Sequence, residues 1–171
     1  MKPGGARLIA VEGVSGPAVR AAARQLRADG HRGAGISEWD ASGVFGDLAD
    51  CEAESAPSAR VLLLLYASDL AFRLRWEIRP ALAEGRVVIA APYVETAMAL
   101  GRAAGLRGNW LSNLFAFAPA ADESRRIAQP RHAAPGPGGF VEFACERAAN
   151  ARAGLSRQRL LERTAAFLKK R

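Results

Sequence analysis

The run Arg86-Val87-Val88-Ile89-Ala90-Ala91, with Gly85 before it and Pro92 after it, limits the fold more than any other stretch of this chain. Apolar residues at successive positions leave no polar face, so a strand built from them is covered on both sides, as in the centre of a parallel sheet. Parallel strands need long crossovers, usually helical. The rest of the sequence supplies them. Arg7-Leu8-Ile9-Ala10-Val11-Glu12 is a β-rich run, Gly13-Val14-Ser15-Gly16 a tight loop, and the Ala- and Arg-rich stretch to Asp29-Gly30 a helix that Gly30 stops. A weaker strand is expected from about Arg32 to Ser37, then a glycine-punctuated loop with a short helix between Trp39 and Glu54. From Ser58 to Glu84-Gly85 the spacing predicts a helix with Val61, Leu62, Leu65, Leu70, Phe72, Trp76 and Ile78 as a wide apolar face, which Pro80 should bend or end. Leu62 to Leu65 alone would also suit a buried strand, but length favours helix.

Beyond the buried strand, Tyr93 to Ala104 and Asn109 to Phe117 read as helices, the second with Asn109 as its N-cap. A short strand near Arg125 to Gln129 precedes a loop marked by Pro130, Pro135, Gly136, Pro137, Gly138 and Gly139. Helices from Phe140 to Ala151 and from Ser156 to Lys170 follow, Ser156 capping the second. Strands alternating with helices give a three-layer α/β domain with a mainly parallel sheet and helices on both faces. Leu8 to Glu12 and Val87 to Ala91 are its expected neighbouring inner strands.

With 171 residues, half of them hydrophobic, one domain spanning 1–171 can bury about 70% of its unfolded surface without disulfides or metal. Two cysteines, Cys51 and Cys145, and two histidines, His31 and His132, provide no recognisable zinc spacing, so no metal is expected, and the cysteines read as small packing groups. Leu8 to Val11 is too short for a signal-peptide core or a membrane span, and a cytoplasmic location without membrane contact is expected. The net charge of +7 comes from scattered arginines rather than one basic run, so nucleic acid is not an expected partner. Lysine occurs only as Lys2, Lys169 and Lys170.

Ligands of parallel α/β folds sit at the carboxyl ends of the strands, which directs attention to Glu12-Gly13-Val14-Ser15-Gly16-Pro17-Ala18-Val19-Arg20. Strand, glycine-flanked turn and helix N-terminus give the outline of a phosphate-binding loop. Such a loop works through a further glycine, a lysine on the β- and γ-phosphates and a hydroxyl on magnesium, and here those places hold Ala18, Val19 and Arg20. Gly13 and Gly16 would serve equally well simply to turn a strand into a helix.

Over about residues 7 to 118 the chain resembles the thymidylate kinases. The similarity lies in Leu8 to Gly16, in the helix Leu63 to Leu70 continuing through Glu77-Ile78-Arg79-Pro80-Ala81-Leu82, in Gly85 to Ile89 leading into Tyr93, and in Trp110-Leu111-Ser112-Asn113-Leu114. The resemblance implies a P-loop NTPase fold acting with ATP, magnesium and a deoxynucleoside monophosphate. The departures fall on reactive positions: Ala91-Pro92 replaces the family's Asp-Arg pair, Leu70 a nucleotide-binding arginine, Ser37 the arginine before Glu38, and Ala41-Ser42 a glycine pair. Tyr66 matches the aromatic position facing the base, Tyr93 follows the central strand, and Thr96 keeps a small hydroxyl.

These residues predict a degenerate phosphate loop (Gly13, Val14, Ser15, Gly16, Val19, Arg20) beside a possible nucleotide pocket (Glu12, Glu38, Tyr66, Arg73, Tyr93, Thr96), with no catalytic residue assigned. The expectation is a non-catalytic binding or regulatory module without a cofactor, working with a protein partner or as a homodimer. Trp39 to Phe45 and the Pro/Gly-rich segment before Phe140 are the candidate contact surfaces. The alternative is a weak or altered dTMP kinase that binds ATP, magnesium and a nucleoside monophosphate. Two plainer alternatives stand beside the pocket reading: Arg73, Arg75 and Arg79 as a solvated face with Glu77 four residues from Arg73, and Tyr66 as core packing. A shortened lid and C-terminal part are also expected.

Overall fold

The computed structural model describes residues 5–31, 33–50, 56–129, 137–149 and 156–169. Arg32, Cys51, His132, the loop positions 130–136, the helix end at 150–151, Lys2 and Lys170 lie outside them. Four strands, β1 (Arg7–Glu12), β2 (Gly35–Glu38), β3 (Val87–Ala91) and β4 (Glu123–Arg126), form one sheet in the order β2-β3-β1-β4. All three pairings are parallel, with Ile9 opposite Ile89 and Ala10 opposite Ala90. The expected inner neighbours are therefore adjacent.

Side-chain alternation along these strands divides the core in two. Ile9, Val11, Ile89 and Ala91 face α1 (Gly16–Asp29), which contributes Val19, Ala23 and the half-buried Leu26. Leu8, Ala10, Val88 and Ala90 face the other way. They share a larger cluster with Leu62, Leu63, Tyr66 and Leu70 of α3 (Ala59–Arg73) and with Ala97 and Leu100 of α5 (Val94–Ala103). Helices on both faces and a continuous apolar strand between them give the α/β architecture its reason. A short α2 (Val44–Asp50) stands in the loop after β2. After β4 come α7 (Phe140–Ala149) and α8 (Arg157–Lys169), whose cap Ser156 accepts a hydrogen bond from the N–H of Arg159 at 3.3 Å.

Two local expectations are corrected. The long helix does not end at Pro80: it passes through a π turn (Leu74–Ile78), in which the N–H of Arg79 reaches back to the carbonyl of Leu74, and continues as α4 (Arg79–Ala83). The wider turn places proline's missing N–H at a junction, near the start of α4, where proline is tolerated. Asn109 is not a cap either. α6 (Gly108–Leu114) is capped at Arg107, and Asn109 sits in the first turn with its Oδ1 accepting the N–H of Trp110 at 2.8 Å.

α5 packs closely because Gly101 has no side chain; a Cβ there would lie 2.4 Å from Cδ2 of Leu111 and 3.0 Å from Cδ1 of Leu63. Gly101→Ala gains about 1 kcal/mol of helix propensity but overpacks a filled core at a cost of about 1–3 kcal/mol. Gly108→Ala, whose Cβ would meet nothing within 4 Å, supplies the control. Urea unfolding should show Gly101→Ala less stable than Gly108→Ala; equal midpoints would contradict the packing described.

Candidate functional site

β1 ends in Glu12, fully buried, and its carboxylate gathers the start of α5. Oε2 accepts from the N–H of Tyr93 at 3.2 Å, the N–H of Thr96 at 3.0 Å and the hydroxyl of Thr96 at 2.5 Å, while Oε1 accepts from the N–H of Glu95 at 3.1 Å. The helix has no side-chain cap at Tyr93, so Glu12 satisfies its free N–H groups from a neighbouring strand. Thr96 joins the loop to this arrangement, since its Oγ1 also accepts the N–H of Gly13 at 3.0 Å. Burial raises the pKa of Glu12 above the ordinary carboxylate range, and the hydrogen bonds only partly counter it.

Past Glu12, the loop turns inward rather than outward. Val19 is 2% exposed and belongs to the core between α1 and the sheet. A Cβ on Gly13 would lie 2.8 Å from its Cγ2, so the glycine makes room for valine. Ser15 opens α1 without giving it a side-chain cap. Glu142 of α7 takes that place. Its Oε2 accepts from the N–H of Gly16 at 2.9 Å and from the N–H of Gly139 at 2.6 Å. Arg20 donates to the carbonyls of Pro137 and Gly138.

The pocket residues take up other partners. Tyr66 is completely buried, donates its hydroxyl to the carbonyl of Tyr93 at 2.7 Å and lies against Phe140, ring centroids 4.2 Å apart. Burial raises its pKa far above the usual phenol range. Tyr93 donates to the carbonyl of Pro119 at 2.8 Å, and burial pushes its pKa up to about 12. Glu38 ends β2, half-buried and in register with Ala91.

Arg73 is not part of a solvated face. It is fully buried, with Nε 2.9 Å from Oγ of Ser37, and Nη2 2.7 Å and 3.0 Å from the carbonyls of Ser37 and Pro92. Among the described residues, its Nη1 alone of the buried side-chain polar atoms has no hydrogen-bond partner in the protein. Arg75 stays at the surface over the ring of Trp76, and Arg79 reaches the carbonyl of Phe117.

Asp69 and Glu142 were absent from the sequence-based set. Asp69, fully buried, accepts from the N–H groups of Asp40 and Ser42 and from the hydroxyl of Ser42, and so shapes the turn after β2. A lone carboxylate in the leucine-rich α3 was the available signal. Glu142 gave none, because its partner is 126 residues away. Within the Trp39 to Phe45 stretch, the rings of Trp39 and Phe45 lie 6.1 Å and 5.6 Å from that of Phe140. Cys145 lies in the core, where burial pushes its thiol up to about 12.

No protein-family model matches the chain. Over 59 residues, 34% of the chain, it is 44% identical to a probable thymidylate kinase of Pyrococcus horikoshii; that stretch is 29% of the relative, so the chain matches less than a third of the relative's length. Among solved structures, thymidylate kinase from Ehrlichia chaffeensis aligns with a TM-score of 0.60 at 17% identity over 72% of this chain and 71% of that one. Part of the chain is thus similar in sequence to a thymidylate kinase, and the chain shares the α/β fold of another.

The resemblance to thymidylate kinases implies magnesium with a nucleoside triphosphate, and the donor set here does not fit the ion. Arg20 occupies the hydroxyl position, Ala91 offers a methyl group where a carboxylate would stand, and the oxygens of Glu12 are engaged by α5. Among the described residues no group of three or more His, Cys, Asp or Glu is placed to hold a metal. No helix among them is long and apolar enough to cross a membrane.

The raised pKa of Glu12 fixes the sign of a pH effect. A carboxyl that holds its proton more readily in the folded chain stabilises the fold below its unfolded pKa and loses that contribution as pH rises through the folded value. Glu12→Gln removes the titration. The unfolding free energy of the native chain minus that of the variant should therefore fall as pH is raised from about 4, measured by urea unfolding at several pH values. A difference that rises with pH would mean that the four donors outweigh burial.

Proposed function

We propose that this thymidylate-kinase-like protein has lost phosphoryl transfer and acts as a binding or regulatory module for a protein partner or a second copy of itself. One observation carries the reading: Val19 holds the place of the phosphate-loop lysine and is packed into the core beneath the loop. Phosphoryl transfer depends on positioned cations against developing charge, and one such cation is worth ~10³-fold or more. Here several are replaced together, at Val19, Leu70 and Pro92. The sequence has no lysine between Lys2 and Lys169 that would take over.

Arg73 favours a second reading, a weak or altered kinase that converts ATP and dTMP to ADP and dTDP. Its guanidinium reaches the carbonyl of Pro92 from α3, bringing a cation to the residue where the family carries an arginine, and its Nη1 has no partner in the protein. The surrounding oxygens of Ser37 and Pro92 already engage the other two nitrogens. The first reading therefore remains the better supported.

A coupled ADP-release assay with dTMP separates the two, with an active thymidylate kinase as positive control. The native chain should stay well below the ordinary kinase range, whose lower end is about 1 s⁻¹. Val19→Lys alone should not restore turnover, because Ala18, Arg20, Ala91 and Pro92 still fail to position phosphates and metal, and such groups act together. Turnover at about 1 s⁻¹ or faster by the native chain would overturn the reading. The affinity for dTMP should be weaker than low micromolar, since a phosphate dianion lacks compensating charge.

A further inference from the structure

We propose that the segment Pro137–Phe143 is an internal occupant of the site, with Phe140 as the ring on Tyr66 and Glu142 as the anion on the loop, so that a nucleotide enters only by displacing it. The inference deepens the reading of Gly13 to Arg20 as a former phosphate loop and rests on that reading.

Two departures in the loop, the missing lysine and Arg20, have counterparts in this segment. The start of a helix attracts negative charge through its free N–H groups, and the N–H of Gly16 already points at the carboxylate of Glu142, 2.9 Å away. A carboxylate brings one negative charge, which suits a loop without lysine. A phosphate would bring more charge than these donors can compensate. Arg20, at the place of the magnesium hydroxyl, holds the carbonyls of Pro137 and Gly138.

Backbone contact completes the fit. A Cβ on Gly16 would lie 2.3 Å from the nitrogen of Gly139, and one on Gly139 would lie 2.7 Å from Cα of Gly16. Without a side chain, Gly16 admits the chain's own backbone here. Phe140 is 1% exposed, its ring 4.2 Å from Tyr66 and 5.6 Å from Phe45. Between Gly13, Gly16, Val19, Pro92, Gly139 and Phe140 a cavity of about 10 Å³ remains, no more than a single water needs. Base platform and phosphate loop are thus covered by consecutive residues of one segment.

The test compares dTMP and inorganic pyrophosphate binding, by calorimetry, to the full-length native chain and to Glu142→Ala. A ligand that needs a rarely open state binds more weakly in proportion to that state's population, so dTMP should bind Glu142→Ala about 10-fold or more tightly than the native chain. Should Glu142→Ala fail to unfold cooperatively, Glu142→Gln, which keeps the length of the side chain and removes its charge, carries the same comparison. In the native chain at saturating dTMP, hydrogen exchange at Gly139 to Phe143 should speed up as the segment leaves. Equal dissociation constants in all variants, no binding by any of them, or nucleotide bound while those amides keep their protection would each overturn the proposal. ADP release measured on the same samples keeps the two readings apart: a variant that binds dTMP without turnover supports both, and one that turns it over confirms the internal occupant while ending the non-catalytic reading.

Discussion

Glu12 places a carboxylate where β1, the loop after it and the start of α5 converge, and no water reaches it. A charge in such a position is tolerated only when hydrogen bonds replace its hydration, and here Tyr93, Glu95 and Thr96 provide them. The same bonds fix where β3 hands over to α5 and, through Thr96, where Gly13 must lie. With Gly13 held, the loop that follows has little freedom in direction, and Val19 falls into the core under it. The arrangement around Tyr66, Tyr93 and Arg73 is built outward from that junction.

Polar groups elsewhere follow the same logic of burial with local compensation. Arg73 has neutral oxygens of Ser37 and Pro92 around it, and Asp69 has two backbone N–H groups and a hydroxyl. Both are on α3; Asp69 reaches the segment that follows β2, and Arg73 reaches β2 itself and the residue after β3. Through Asp69, a leucine-rich helix thereby fixes the shape of an irregular turn, in which Asp40 takes a positive φ of 61° and caps Phe45 and Gly46.

The frame was legible in the sequence because its signals are local. Consecutive apolar residues in Val87 to Ala91, the short apolar run of β1 and the glycine-marked turn after Glu12 each state a strand or its end without reference to the rest of the chain. Residue types at Val19, Arg20, Ala91 and Pro92 likewise showed what the loop lacks. What filled it was not legible. The bond from Gly16 to Glu142 joins positions 126 residues apart, and no periodicity encodes such a pairing. Arg73 misled for a related reason: on a helix with charged neighbours it fits a solvated face, and only the packing of β2 and β3 against α3 shows it enclosed. Pro80 and Asn109 show that local rules give way to tertiary context, the first to a π turn and the second to a cap two residues earlier.

β4 ends the sheet on the side away from β2 and β3 among the described residues. An edge strand offers unpaired backbone groups to any extended segment that drifts past, including the same strand of another copy. In this chain the exposed positions of that edge carry Ser124, Arg125 and Arg126, and Arg126 is tied to Glu95 of the neighbouring helix at 2.9 Å. Charged side chains along an edge strand oppose such pairing, so this edge is poorly suited to extending the sheet.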